Sequence, residues 1–119
     1  FHSNIVMENC EAVTLASNAM DRNPRYHLGR NSVAKHGVQL IDCRDCVLSA
    51  NVIRGVSDRP AVLEMTRCHG ILVHGGLFSD DKVPAILAVE CSDCLIQNNI
   101  TRGGESPIVL RDCKGMRTD

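Results

Sequence analysis

The chain has 119 residues, of which 44% are apolar and 23% are charged, and its formal net charge is -1. This length supports one domain and excludes two of ordinary size. A charge so close to zero excludes a bulk electrostatic binder, so no nucleic-acid partner is predicted. No apolar run approaches the roughly 20 residues of a membrane-spanning helix, so no membrane partner is predicted either. The sequence contains seven cysteines and only three aromatic residues, so side chains other than aromatic rings must fill the interior.

Five of the cysteines mark an internal repeat. Successive members are 33, 25, 23 and 22 residues apart in the series Cys10, Cys43, Cys68, Cys91 and Cys113. Apolar residues stand five and three positions before each cysteine, and again three and five positions after it, until the chain stops at the last repeat. Alternation with a period of two residues predicts two short strands per repeat.

Each repeat is predicted to turn eight positions after its cysteine. The residues at that position are of types that tolerate a left-handed backbone: Asn18, Asn51, Gly76 and Asn99. A third short apolar element follows the turn, then a loop of variable length, and no helical spacing is sustained. The sequence therefore predicts an all-β fold, a right-handed parallel β-helix of about five coils with three short strands per coil.

The pattern is clearest in two segments, GVQLIDCRDCVLSAN at 37–51 and AILAVECSDCLIQNN at 85–99. It resembles the right-handed parallel β-helix repeat proteins of the pectate-lyase-like superfold, which include polysaccharide lyases and proteins of copper-protein maturation. The resemblance covers nearly the whole chain as a pattern of strands and corners, and it matches no specific enzyme family. It implies the solenoid fold, a carbohydrate-related role and an extracytoplasmic location.

Residues 1–119 are predicted to form one β-helix segment with an inserted loop at 21–36. Five coils about 4.8 Å apart make a stack only about 24 Å long, and neither end shows a polar cap. The outer face of the first strand is also more apolar than a solvated sheet requires, as at Leu87 and Val89. We therefore expect the rest of a longer chain, or another subunit, to cover that face and the ends of the solenoid.

Two C-x-x-C pairs, Cys43–Cys46 and Cys91–Cys94, have the ligand spacing of a zinc site. In the predicted register the pairs lie two coils apart, about 9.6 Å along the axis, too far for one zinc ion, whose thiolate ligands lie within about 4 Å of one another. Disulfides between stacked cysteines are the other alternative. A ladder of buried thiols fits the composition best, because small sulfur side chains repeat at inward positions. No metal site is predicted.

Candidate catalytic residues follow from the resemblance. Glycoside hydrolysis needs two carboxylates, and a lyase needs calcium and a basic residue. Asp80-Asp81 is similar to the double aspartate of the pectinase branch, although here the motif containing His69 precedes it. Arg54 and Arg102 stand eleven positions after their cysteines and would flank Asp80. The alternatives are a solvated turn for the two aspartates and surface ion pairs for the arginines. No cofactor is predicted, apart from Ca²⁺ if the chain is a lyase.

The inserted loop places an aromatic residue among several cations, which makes it a candidate contact for an anionic polysaccharide. The candidate substrate-binding residues are Arg25, Tyr26, His27, Arg30, His74 and Lys82. Two function classes result. The first is a carbohydrate-active β-helix that binds or cleaves an acidic polysaccharide through the loop face of coils 2 to 4. The second is a non-catalytic structural or adhesive repeat scaffold.

Overall fold

The chain winds into five coils, each carrying up to three short strands. The structure, a computed structural model, describes residues 5–21, 37–54, 60–79, 83–102 and 107–118. The first sheet consists of β1 (Ile5–Glu8), β4 (Val38–Ile41), β7 (Leu63–Thr66), β10 (Ile86–Val89) and β13 (Ile108–Arg111). The second sheet consists of β2 (Thr14–Ala16), β5 (Val47–Ser49), β8 (Leu72–His74), β11 (Leu95–Gln97) and β14 (Arg117–Thr118). The third sheet consists of β3 (Ala19–Asp21), β6 (Val52–Arg54), β9 (Leu77–Ser79) and β12 (Ile100–Arg102).

Every strand pair in these sheets is parallel, and each strand pairs with its equivalent in the next coil. The register joins positions that are equivalent relative to the repeat cysteines, as in Leu40 with Met65 and Met65 with Ala88. Residues therefore stack in columns that run the length of the solenoid. This arrangement confirms the predicted all-β solenoid of about five coils with three strands each.

The interior is built from the inward columns, and both cysteine columns are among them. Cys43, Cys68 and Cys91 are buried in the first column, and Cys46 and Cys94 are buried in the second. Aliphatic residues fill the remaining inward positions, with Phe78 as the one aromatic ring among the described residues. Columns of medium-sized side chains thus replace the aromatic core of a more compact domain, as the composition predicts.

The corners of the coils use a left-handed backbone at three positions. The prediction that the residue eight positions after each repeat cysteine would be left-handed was wrong. The left-handed residues stand one position before and two after each repeat cysteine, and seven after each of the first four, for example Asp42, Asp45 and Ala50 in the second coil. Asn51, at the predicted position, is not among them. The N–H of each of these three corner residues donates to a carbonyl of the next coil. Ladder hydrogen bonding therefore continues through the corners, which offsets the strain of a positive φ.

Asparagine at the third corner has a different role, because its side chain bonds to the neighbouring coil. The buried Asn51 amide donates from Nδ2 to the carbonyl of Leu15 at 3.0 Å, and its Oδ1 accepts from the backbone N–H and Nδ2 of Asn18 at 3.2 and 3.1 Å. Asn99 repeats this pattern on Val73 and Gly76. These side-chain amides form hydrogen bonds with main-chain N–H and carbonyl groups that, because the chain bends there, have no partner in the regular strand ladder.

Gly76 interrupts this column of asparagines for a steric reason. A Cβ placed on Gly76 would lie 2.9 Å from the carbonyl oxygen of Asn51 and 2.9 Å from a ring carbon of Phe78. Both distances are shorter than real Cβ contacts, so the large ring in the third coil requires glycine at its corner.

Connections between coils differ in length only where the third strand leads to the next first strand. These connections are residues 22–37, 55–62, 80–85 and 103–107, whereas the other corners keep one length throughout. Most of the predicted inserted loop at 21–36 lies outside the described residues. The part of the chain that the structure describes has no helix long and apolar enough to span a membrane.

Candidate functional site

The two candidate arginines lie in one column on the outer face of the third sheet. Arg54 pairs with Ser79, and Ser79 pairs with Arg102, so the arginines are two coils apart, with about 9.6 Å between their backbones. Both side chains are exposed. The predicted column is thus present, and its other members are Ser79, between the two arginines, and Asp21, which pairs with Arg54.

His74 lies on a different face from the arginines. It belongs to the second sheet, where it pairs with Ser49 and Gln97, and a corner separates it from the third sheet. The structure therefore does not combine His74 with Arg54 and Arg102 on one strand face. The other candidates lie outside the described residues: Asp80, Asp81, Lys82, Arg25, Tyr26, His27 and Arg30.

Charged residues at the corners pair between coils. The Nε of Arg67 donates to Asp42 Oδ1 at 2.7 Å, and a second guanidinium nitrogen lies 3.2 Å from Oδ2. This hydrogen bond lowers the pKa of Asp42 and raises the pKa of Arg67. Arg44 lies 3.9 Å from the carboxylate of Glu11, which occupies the same column in the preceding coil. Both pairs are well exposed, so their main effect is to fix side chains along the stack.

A serine, a histidine and an aspartate meet at the corner between the third and fourth coils, a cluster that the alternation of apolar residues does not predict. His69 Nδ1 lies 2.8 Å from Ser92 Oγ and 3.7 Å from an oxygen of Asp93. In a catalytic triad, the serine and the carboxylate engage opposite ring nitrogens. Here both engage Nδ1, so the carboxylate cannot orient the ring toward the serine. Aligning the position after each repeat cysteine would have found this contact.

All seven cysteines carry free thiols. In the first column the sulfurs lie close to carbonyl oxygens of their own and the preceding coil, as for Cys43 with Ile41 at 3.4 Å and Met7 at 3.3 Å. Burial raises the pKa of Cys43 and of Cys94. A hydrogen bond with Cys91 together with burial raises the pKa of Cys68, and the same hydrogen bond lowers the pKa of Cys91 to about 7. The disulfide alternative is therefore not realised. The strand register also places the two C-x-x-C pairs two coils apart, as predicted.

We expect two of the seven thiols to react in the native chain. Cys10 and Cys113, in the two end coils, are half-buried, whereas the sulfur atoms of the other five are buried and a reagent cannot reach them. Titration of dilute protein with DTNB should give two rapid equivalents, and titration in urea should give seven. The Cys10→Ser/Cys113→Ser variant, as the control, should lose the rapid phase. A third thiol reacting at a similar rate would contradict the buried ladder.

One shallow cleft lies at the C-terminal end of the solenoid. It has a volume of about 420 Å³ and lies between the fourth and fifth coils, lined by Asp93, Cys94, Leu95, Gly115, Met116 and Arg117. It contains one carboxylate and one guanidinium, and the described residues hold no cluster of three or more metal-ligating side chains there or elsewhere. The cleft therefore offers no set of groups for general acid and base catalysis.

Comparison with known proteins gives no family. No family model matches the sequence, and no curated protein matches it. Among solved structures, the chain is distantly similar to the pentapeptide repeat protein Rfr23 from the cyanobacterium Cyanothece 51142, with a TM-score of 0.32 and 9% identity over 96% of this chain and 91% of that chain. The solenoid architecture is established by the strand register of the chain itself. Its assignment to the pectate-lyase-like class within the β-solenoids stays a prediction.

Proposed function

We propose that this chain is a non-catalytic structural repeat scaffold. The observation that carries the proposal is the direction of the polar contacts at the corners, which join one coil to the next. Asp42 bonds to Arg67, Glu11 pairs with Arg44, and the Asn51 amide bonds across to the first coil. Side chains used in this way hold the stack in register and are not arranged around a bound substrate.

The buried thiols support the same proposal. A reactive cysteine needs an accessible sulfur and a lowered pKa, whereas the Cys43 and Cys94 thiols are buried and their pKa values are raised. Cys91, whose pKa is lowered to about 7 by its hydrogen bond with Cys68, is buried as well, so the five buried cysteines act as small side chains that contact main-chain carbonyls. Several of them contact a carbonyl of the preceding coil, so together they help to hold the coils against one another.

Binding of an acidic polysaccharide is a second candidate function, favoured by the outer face of the third sheet. Arg54 and Arg102 share one column there, and the exposed apolar residues Val52 and Ile100 share the other. The column of arginines also contains Asp21 and Ser79, and its two cations beside an apolar column suit a polyanion with apolar ring faces. This candidate requires binding without cleavage.

One experiment tests both functions. The chain is incubated with polygalacturonate and with alginate, with and without Ca²⁺, and unsaturated product and new reducing ends are measured. We expect neither product, because in a scaffold the charged side chains at the corners bond one coil to the next, as Asp42 does with Arg67. Product formed by the native chain and lost in Arg54→Ala/Arg102→Ala would overturn the scaffold proposal. Retardation of the native chain in an alginate gel but not in a neutral glucan gel, abolished in the same variant, would support the second candidate.

A further inference from the structure

The five repeat cysteines form one column that continues from coil to coil. One residue from each coil makes up the first cysteine column, which we define as Cys10, Cys43, Cys68, Cys91 and Cys113. The parallel register places successive members about 4.8 Å apart along the axis. The second cysteine column contains only Cys46 and Cys94, and Ile71 of the third coil lies between them. Cysteine therefore stacks directly on cysteine only in the first cysteine column.

The central sulfurs of this column have equivalent surroundings. Cys43, Cys68 and Cys91 are buried. Each of their sulfurs lies 3.3–3.6 Å from two carbonyl oxygens, one of its own coil and one of the preceding coil. The side chains of Cys68 and Cys91 are also hydrogen-bonded to each other. The three side chains therefore have the same orientation in the stack, and in the Cys68–Cys91 pair the two sulfurs are in direct contact.

The spacing of the coils matches a metal ion that takes two ligands. A bond between a metal ion and a thiolate sulfur is about 2.3 Å long, so an ion in line between two sulfurs requires them to be about 4.6 Å apart. Coils about 4.8 Å apart provide nearly that separation. Zinc is unsuited to this position, because it takes four ligands in a tetrahedron and the column offers sulfur only above and below. Monovalent ions of soft metals, such as Cu⁺ and Ag⁺, select thiolate and accept two ligands in line.

We propose that the first cysteine column binds a soft monovalent cation, of the class of Cu⁺ and Ag⁺, between the sulfurs of two adjacent coils. Each bound ion displaces one thiol proton, which passes to the solvent, so the net charge of the buried column does not change. The carbonyl oxygens beside the sulfurs present the negative ends of their dipoles to the ion. Because the sulfurs are buried, the ion enters during folding or when the coils open locally.

The second cysteine column supplies a matched control for the test. Cys43→Ala/Cys91→Ala removes two buried thiols and places alanine between the remaining cysteines of the first cysteine column. Cys46→Ala/Cys94→Ala also removes two buried thiols, but it leaves the first cysteine column complete. Both double variants delete the same atoms from the core, so a difference in metal binding between them reports on the stacking of the cysteines.

Competition for Cu⁺ measures the binding. The full chain and both variants are refolded from urea in oxygen-free, reducing buffer with the coloured Cu⁺ complex of bicinchoninate, and loss of colour reports the Cu⁺ taken by the protein. We expect the native chain and Cys46→Ala/Cys94→Ala to bind Cu⁺ equally, and Cys43→Ala/Cys91→Ala to lose this binding. Both variants retain the half-buried Cys10 and Cys113, so equal binding by the two variants would contradict the proposal. Circular dichroism checks that each variant folds.

X-ray absorption of the copper-loaded native chain tests the geometry without any substitution. We expect two sulfur neighbours at the metal–thiolate distance of about 2.3 Å, and no nitrogen or oxygen ligand. Three or more ligands, or a native chain that leaves the bicinchoninate complex intact, would overturn the proposal. Neither outcome would affect the scaffold proposal, which the polysaccharide assay tests separately.

Discussion

Replacing Phe78 by alanine should lower the free energy of unfolding by about 3–5 kcal/mol, the usual cost of deleting a buried ring. The ring is 1% exposed and lies in the third sheet between Ile53 and Thr101 of the adjacent coils. The solenoid interior is narrow, and each coil is fixed by hydrogen bonds to its neighbours, so the backbone cannot close around the missing ring. Urea denaturation followed by circular dichroism measures the change.

Two controls separate packing from side effects of the substitution. Phe78→Leu retains most of the apolar volume and should cost about 1–1.5 kcal/mol. Leu77→Ala changes the neighbouring residue, which is half-buried on the outer face of the same strand, and should cost less than Phe78→Ala. If Phe78→Ala cost no more than Leu77→Ala, the ring would not be a central element of the core.

Replacing Asn51 by alanine should cost about 3 kcal/mol, because the amide satisfies several main-chain and side-chain groups at once. Its loss leaves the Leu15 carbonyl and the Asn18 N–H without their bonds to this side chain. A polar group left unsatisfied at a buried position costs about 1–3 kcal/mol. The same denaturation experiment measures the effect.

Two other variants calibrate the Asn51 result. Ser49→Ala removes a hydroxyl from the outer face of the second sheet, where Ser49 is half-buried, and should change stability by less than about 0.5 kcal/mol. Asn99→Ala removes the equivalent bonds to Val73 and Gly76 at a half-buried corner, so its cost should lie between the other two. Equal costs for Asn51→Ala and Ser49→Ala would show that the amide bonds do not stabilise the corner.

Strand positions were predictable from the sequence because alternation repeats around each cysteine. The columns containing Leu40, Met65 and Ala88 could be aligned by counting residues, and the parallel register follows from that alignment. The left-handed corners were harder to predict. Asparagine tolerates a left-handed backbone and also bonds well through its side chain, so Asn51 fitted both roles in the sequence. The left-handed conformation falls on Ala50 instead, while Asn51 supplies its amide to the neighbouring coil.

The candidate site was less predictable than the fold. The column of Arg54 and Arg102 followed from residue counting, because both stand at the same distance from a repeat cysteine. The contact of His69 with Ser92 depends on which side chains meet at a corner, and alternation within a strand does not reveal that.

The connections between coils differ in length, so the solenoid is suited to presenting inserted peptides. Connections of 16, 8, 6 and 5 residues occur at the same one of the three corners in successive coils, so chain length varies there while the strands keep their register. Peptides inserted into these four connections would all lie along one edge of the solenoid, on coils about 4.8 Å apart. Added residues at either of the other two corners would shift the inward and outward alternation of the strands that follow. The strands and the two constant corners must therefore keep their length, whereas the connections from the third strand to the next first strand can vary in length and sequence.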